Sequence, residues 1–266
     1  MNLFQQPQLW REASIGLELA SLVRDPILRG EGVRHGGGQP VLLVPGFLAG
    51  DGSLATMTRW LRRTGHHTRK AGMRANVDCS SAVADRLEIR LEELAERQGQ
   101  RVAIVGQSRG GHFARVLSVR RPDLVSGIVC LGSPQMDPFA INAVVAAAVF
   151  GVGLAGTIGG RGMFRAQCLL GGCCESFWED FEAPFPEEVG YVSVYSKRDG
   201  VVDWHSCLDP AADHVEIRAS HCGMAVSRGA FGAVAEALDT FRRQDARGTK
   251  KRSRPRAVRG AARRAA

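Results

Sequence analysis

Residues 101–117 read RVAIVGQSRGGHFARVL. The apolar run Val102–Val105 is typical of a strand that is buried on both faces of a parallel sheet. The pattern that follows predicts a helix over Gly110–Arg120, which Pro122 closes. A buried strand that turns directly into a helix is the repeating unit of folds with alternating strands and helices, so this segment predicts a parallel sheet covered by helices.

The turn between this strand and this helix carries a serine between two glycines, in Gly106-Gln107-Ser108-Arg109-Gly110. Glycines at these positions allow a sharp turn in which side chains would otherwise collide. Such a turn lifts Ser108 to the edge of the sheet, where its hydroxyl can act as a nucleophile. The alternative interpretation is a serine with a purely structural role in the turn.

Apolar runs and helical patterns alternate along most of the chain. Further strands are predicted at Val41–Val44, His66–Met73, Val125–Leu131, Val189–Tyr195 and Val215–Ile217. Further helices are predicted over 54–64, 80–98 and 228–243. The expected fold is α/β, with a mainly parallel central sheet and helices on both faces. Ligands of such sheets bind beyond the carboxyl ends of the strands.

A serine nucleophile needs a histidine base, and the histidine needs a carboxylate that orients it. Both partners should follow later strands. Asp199, in the turn after the strand YVSVYSK, is the predicted acid, and Asp203 is the alternative that suits a helix N-cap better. His221 follows the strand HVEIRAS and is the predicted base. The remaining histidines are predicted to lie on other elements: His35, His66, His67, His112, His205 and His214.

The tetrahedral intermediate of acyl transfer carries an oxyanion that requires two N–H donors. The backbone N–H of Arg109, directly after Ser108, is the first predicted donor. The second should come from the loop after the strand VLLV, where Pro45-Gly46-Phe47-Leu48 lets the backbone turn toward the site. Phe47 is the predicted donor, with Leu48 as the alternative.

These motifs together resemble the α/β-hydrolase superfamily, in particular its small bacterial lipase-like and esterase-like serine hydrolases. The resemblance covers residues 40–243 and rests on LVPGF, GQSRG, YSKRDGVVDW and SHCGM. It implies a serine-dependent carboxylic ester hydrolase with Ser108, Asp199 and His221 as catalytic triad. The chain departs from many lipases because Pro45 stands where they have a histidine, which leaves the substrate class open.

Resemblance to lipases also implies that residues 136–182 form a lid or cap over the site, here called the cap. Residues 138–160 carry no charge and are long enough to cross a bilayer, but they consist largely of Ala and Gly, so a mobile cover is favoured over a membrane span. The alternative is a set of core helices that merely cover the sheet. The apolar residues predicted to line an acyl pocket are Phe139, Ile141, Val144, Val145, Val149, Phe150, Leu154 and Phe164.

The two termini differ from the central domain at 41–243. Residues 1–40 are predicted to form a helix and loop packed on the core, through an apolar face of Leu9, Ile15, Leu19, Leu22 and Val23. The N-terminus lacks the basic start and apolar run of a secretory signal, which favours cytoplasmic residence, with contact to a membrane surface as the alternative.

The net charge of +8 is concentrated at the C-terminus, where residues 242–266 contain eleven Lys and Arg against one acid. The preceding part has 24 basic and 26 acidic side chains and is therefore nearly neutral. Residues 244–266 are predicted to be a disordered basic tail, which could contact an anionic surface such as lipid, polyphosphate or nucleic acid.

The chain has seven cysteines but no C-x-x-C pair, which argues against a zinc ribbon or a thioredoxin motif. No cofactor and no metal ligand are predicted. Cys168, Cys173 and Cys174 lie in the cap, and one of them could pair with Cys207 in an oxidising compartment.

The predicted reaction is hydrolysis of a small-molecule or lipid ester with a fairly apolar acyl group. An acyltransferase with the same triad is the first alternative, and a non-catalytic lipid-binding protein of the same fold is the second. The sequence indicates neither the substrate nor the oligomeric state.

Overall fold

The computed structural model describes residues 8–169 and 171–252, the side chains of 248–252 excepted. The strands are β1 (Pro40–Val44), β2 (His67–Lys70), β3 (Val102–Gln107), β4 (Val125–Leu131), β5 (Gly190–Tyr195) and β6 (Asp213–Glu216). They form one sheet in the order β2-β1-β3-β4-β5-β6, and every neighbouring pair is parallel. The predicted parallel sheet is therefore confirmed.

The helices lie on both faces of this sheet: α1 (Ile15–Arg24), α2 (Ala55–Arg63), α3 (Ser80–Gln98), α4 (Arg109–Arg120), α5 (Ala143–Thr157), α6 (Glu175–Glu182) and α7 (Arg228–Arg252). Successive β1 side chains point to opposite faces, so Leu43 packs with α1, α2 and α7, and Leu42 packs with α3, α4 and α6. Two hydrophobic cores result, one on each side of the sheet.

The position of each strand explains its composition. The central strands β1, β3 and β4 are buried along their whole length, which requires continuous apolar or small residues. The edge strands β2 and β6, of sequence HTRK and DHVE, contain no fully buried residue. Polar side chains at a sheet edge discourage pairing with another chain.

The last helix is longer than predicted. It continues to Arg252 rather than ending at residue 243. An ion pair between Arg101 and Asp245 ties the extension to the start of β3. The rest of the predicted basic tail, residues 253–266, lies outside the described residues.

The N-terminal segment forms the predicted helix, but its predicted apolar face is wrong. Leu22 is buried, whereas Leu9, Ile15, Leu19 and Val23 are 38–58% exposed. The segment is held instead by carboxylates that bind the loops after β5 and β6, as described below.

The cap consists of α5, two short 3-10 turns and α6. Its C-terminal half belongs to the core, where the Phe177 ring packs 5.5 Å from that of Phe113 on α4. Arg115 of α4 donates hydrogen bonds to the carbonyls of Phe181 (2.6 Å) and Ala183 (3.1 Å), which fixes the end of α6. Among the residues that the structure describes, no helix combines the length and apolar character that crossing a membrane requires.

Candidate active site

The turn that carries Ser108 is strained and tightly packed. Ser108 has φ of +51°, a value that is unfavourable for a residue with a side chain and that persists only where the surroundings impose it. Its backbone N–H donates to the Leu131 carbonyl at 2.9 Å. A Cβ on Gly110 would collide with the Val44 carbonyl oxygen, so glycine is required where α4 begins against the end of β1. The turn holds Ser108 at the carboxyl ends of the central strands.

Asp199 and His221 form a buried pair in the turns after β5 and β6. His221 Nδ1 lies 2.7 Å from Asp199 Oδ2, and the residues are only 6% and 4% exposed. The second carboxylate oxygen accepts the backbone N–H groups of Val201 (2.8 Å) and Val202 (2.7 Å). Because Nδ1 donates to the carboxylate, Nε2 is the ring nitrogen that remains to exchange a proton.

Two further contacts fix the relative position of the turns. Gln107, the residue before Ser108, donates its side-chain N–H to the His221 carbonyl at 3.1 Å. The Ser196 hydroxyl at the end of β5 donates to the Ala219 carbonyl at 2.6 Å. The turns after β3, β5 and β6 are thus joined at one edge of the sheet, which we call the carboxyl edge.

The electrostatic surroundings of His221 favour its protonated form. Burial alone lowers the pKa of this imidazole, but the charge of Asp199, its hydrogen bond and the charge of Glu12 together outweigh burial and raise the pKa above the ordinary 6.5.

Two N-terminal carboxylates that the sequence analysis missed organise the same turns. Glu12 Oε1 accepts the backbone N–H groups of Gly200 (3.0 Å) and His221 (2.9 Å), and its Oε2 accepts that of Cys222 (2.8 Å). Glu18 accepts both the backbone N–H (2.8 Å) and the hydroxyl (3.0 Å) of Ser220. Glu12 lies in the 3-10 turn before α1 and Glu18 lies in α1, and no sequence motif marks either acid as a ligand of these turns.

The alternative acid, Asp203, contacts a different histidine, His205. Its carboxylate accepts the backbone N–H of His205 at 3.1 Å and lies 2.7 Å from His205 Nδ1, as an N-cap of a short 3-10 turn. His112 lies near Ser108 but has a packing role. Its Nε2 is 3.2 Å from the Pro134 carbonyl, and burial together with the charge of Arg109 lowers its pKa to about 3.

The loop after β1 approaches Ser108 closely and contains a second strained residue. A Cβ on Gly46 would lie 3.1 Å from Ser108 Cβ, and Leu48 has φ of +61°. The buried Asn76 donates its side-chain N–H to the Pro45 carbonyl at 2.8 Å. Asn76, another residue that the sequence analysis missed, therefore supports this loop.

The half-buried Arg109 side chain also contacts Asn76 and makes several hydrogen bonds within the protein. It donates to Asn76 Oδ1 (2.9 Å), the Asp78 carbonyl (2.8 Å) and Ser80 Oγ (3.0 Å). The rings of Phe113 and Phe164 lie 5.2 Å and 5.4 Å from the guanidinium carbon. Burial lowers the pKa of Arg109 to about 10, so the side chain remains a cation at neutral pH.

A narrow apolar cavity of about 80 Å³ extends from Ser108 under the cap. Five residues predicted to line an acyl pocket do line it: Phe139, Ile141, Val145, Val149 and Phe164. The prediction is wrong for the other three, Val144, Phe150 and Leu154, which are 61–65% exposed. They lie on the outer face of α5, because a helix can direct only one side toward the cavity.

Cys207 does not lie near the cap cysteines, so the proposed pairing is wrong. Cys207 is buried against Val201 and Val202 below the Asp199 turn. The three cap cysteines lie next to Cys79 instead.

Comparison with known family profiles and with curated protein sequences finds no match. Solved structures do match. The mature Bacillus licheniformis lipase BlEst2 has a TM-score of 0.57 at 15% identity, over 76% of this chain and 92% of that chain. One of the metagenome-derived lipolytic enzymes LipS and LipT has a TM-score of 0.54 at 13% identity, over 79% of this chain and 96% of that chain. Tomato methylketone synthase I complexed with 2-tridecanone has a TM-score of 0.52 at 12% identity, over 78% of this chain and 99% of that chain. The protein therefore has the α/β-hydrolase fold.

Proposed function

We propose that this chain is a serine hydrolase that cleaves a carboxylic ester through an acyl-enzyme, with Ser108 as nucleophile, His221 as base and Asp199 as the partner of His221. The observation that carries the proposal is the 2.7 Å Asp199–His221 hydrogen bond at the same edge of the sheet as the strained Ser108 turn. The structural neighbours that are a lipase and a lipolytic enzyme support it, since they share this fold.

In the first step, Ser108 Oγ attacks the ester carbonyl carbon while His221 Nε2 takes the hydroxyl proton. Asp199 stabilises the resulting imidazolium. The backbone N–H groups of Arg109 and Phe47 donate to the oxyanion, in line with the close approach of the 45–48 loop to Ser108. The intermediate then expels the alcohol, which receives the proton from His221.

In the second step, His221 takes a proton from water, and the hydroxide oxygen attacks the acyl carbon. The bond to Ser108 Oγ breaks, and His221 returns the proton to that oxygen. The products are a carboxylic acid and an alcohol, with the enzyme regenerated and no cofactor consumed.

The lining and size of the cavity favour a substrate whose acyl group is apolar and short. Its volume of about 80 Å³ is well below the roughly 300–1,000 Å³ of typical ligand pockets. We therefore expect acetyl and butyryl esters to be cleaved faster than long-chain esters, because a long chain requires the cap to move.

The test is hydrolysis of p-nitrophenyl esters by the purified full chain. Ser108→Ala should lose activity by about 10⁴-fold or more, since removal of a serine nucleophile disables the triad as a unit. Ser53→Ala, at an exposed serine in the loop before α2, is the matched control and should retain the parent rate. Equal rates for Ser108→Ala and parent would overturn the proposal.

A further inference from the structure

Four cysteines converge where the cap meets the core. Cys79 precedes α3, and Cys168, Cys173 and Cys174 come from the short turns between α5 and α6. Their sulfur atoms all lie within 4.8 Å of one another. Cys168 and Cys174 are buried, whereas Cys173 is exposed, so the cluster is accessible from one side.

The sulfur positions match a tetrahedral site. Tetrahedral zinc with Zn–S bonds of about 2.3 Å places the sulfurs roughly 3.8 Å apart. Cys79 Sγ is 3.5 Å from Cys174 Sγ and 3.8 Å from Cys173 Sγ, and the latter two are 3.9 Å apart. Cys168 Sγ lies 3.0 Å from Cys173 Sγ and within 4.8 Å of the other two sulfurs, so metal binding requires a small shift of Cys168.

We propose that Cys79, Cys168, Cys173 and Cys174 bind one Zn²⁺ through four thiolates, which fastens the cap to the core. Binding displaces four thiol protons and leaves a centre with a net charge of about −2. Tetrahedral sites with four sulfur ligands select zinc or iron among the common metals, and a closed zinc site contributes folding energy directly.

The charge beside the cluster fits this centre. The Arg109 guanidinium donates its hydrogen bonds to uncharged oxygens: the carbonyls of Asn76 and Asp78, Asn76 Oδ1 and the Ser80 hydroxyl. Its electrostatic partners are the sulfur groups of Cys174, Cys79 and Cys168 together with the Asp78 carboxylate. A buried cation is costly unless negative charge lies nearby, and thiolates held by zinc add to the negative charge of Asp78, which neutral thiols do not.

The backbone adds a contact that favours a thiolate. The N–H of Arg165 points to Cys168 Sγ at 3.4 Å, and such outer hydrogen bonds orient metal ligands. The sequence lacks the close pairs of a zinc ribbon because one ligand comes from the start of α3 and three come from the cap. Only the fold brings the two segments together.

The proposal is tested by the metal content of the full chain, expressed without a polyhistidine tag and purified without chelators. Inductively coupled plasma mass spectrometry should find about one zinc per chain, and X-ray absorption should find four sulfur neighbours at about 2.3 Å. Cys79→Ser and Cys173→Ser should each lose most of the zinc. Cys222→Ser, at an exposed cysteine outside the cluster, is the control that should keep it.

A second measurement on the parent protein covers the case in which these variants do not fold. A chelator should remove the zinc, lower the melting temperature and expose the cap to proteolysis, and added Zn²⁺ should reverse all three effects. Zinc-free protein with four reactive thiols would overturn the proposal, as would an intact mass lower by about 4 Da, which indicates two disulfides. These readouts do not depend on Ser108, so failure here leaves the proposed hydrolase function untouched.

Discussion

The carboxyl edge and the cap are held in place by different forces. At the edge, the buried carboxylate of Asp199 and the half-buried carboxylate of Glu12 accept several short hydrogen bonds each, and they position the turns that follow β5 and β6. In the cap, α5 exposes an apolar outer face and contributes few side chains to the core, while α6 is fixed by aromatic packing and by Arg115. The edge can therefore be rigid while α5 of the cap remains adjustable. Changes at the edge should therefore slow all esters alike, and changes in the cap should alter which ester is preferred.

The largest effect is expected from Asp199→Asn. The amide keeps the shape of the side chain but no longer stabilises the imidazolium or fixes its tautomer, so kcat should fall by about 10⁴-fold for every acyl chain. Asp203→Asn keeps an N-cap and should leave the rate within a few-fold of the parent. Esterase assays with both variants decide between the two acids. A large loss in Asp203→Asn alone would reverse their assignment.

Asn76→Ala should have the next largest effect. It removes the support of the Pro45 carbonyl and one acceptor of Arg109, so both segments that carry the proposed oxyanion donors become less well positioned. We expect kcat to fall by about 10–100-fold with little change in KM, since the interaction acts in the transition state. The orphaned carbonyl should also reduce the free energy of unfolding by about 1–3 kcal/mol. A change in KM alone would contradict this role.

Glu12→Gln should shift the pH dependence more than the maximal rate. Because the pKa of His221 is raised above 6.5, the imidazole is mostly protonated at pH 6.5 and cannot act as a base there. The rising limb of kcat/KM should therefore lie above pH 6.5. Removing the Glu12 charge lowers this pKa and should move the limb to lower pH. Glu31→Gln, at an exposed acid paired with Arg29, should leave the limb unchanged. A limb that moves upward in Glu12→Gln would show that Glu12 does not act through charge.

The same raised pKa affects stability. Because the folded state binds the His221 proton more tightly than the unfolded state, its stabilising contribution is complete below the unfolded pKa of about 6.5 and is lost as pH rises through the folded value. Thermal unfolding of the parent and of Glu12→Gln should be measured as a function of pH. The decrease in melting temperature as pH rises should be smaller in the variant. Parallel curves for the two proteins would exclude the linkage.

The smallest effect is expected in the cap. Val149→Ala enlarges the cavity and should shift the preferred p-nitrophenyl ester toward longer chains, with a change of several-fold in the ratio of kcat/KM between octanoyl and butyryl esters. Val144→Ala removes the same atoms from the outer face of the same helix and should leave the ratio unchanged. If the two variants gave the same ratio, the cavity would not be the acyl site.

The sequence predicts the sheet well because the relevant signals are local. A buried parallel strand needs a continuous apolar run, and α3 begins and ends where the pattern and Gly99 predict. The positions of Asp199 and His221 in turns after two late strands predict that the two side chains lie at the same edge of the sheet. Their hydrogen bond then follows from the parallel order of β5 and β6, which directs both turns to one edge.

What the sequence did not predict depends on contacts between distant segments. Glu12 binds turns that follow β5 and β6, Asn76 joins two loops, and Cys79 meets three cap cysteines across the chain. No local pattern distinguishes these residues from ordinary surface acids, amides and thiols. The sequence likewise did not determine which residues of α5 face the cavity and which face solvent, because apolar residues occupy both sides of the helix.

Covalent labelling of the purified chain examines whether Ser108 is a nucleophile that His221 activates. The purified chain is treated with a fluorophosphonate probe and digested, and the modified peptide is sequenced by mass spectrometry. We expect stoichiometric modification of Ser108 in the parent, with labelling at least about 10²-fold slower in His221→Ala because the general base is lost. A folded parent that remains unlabelled at Ser108, or a label on another residue, would contradict it.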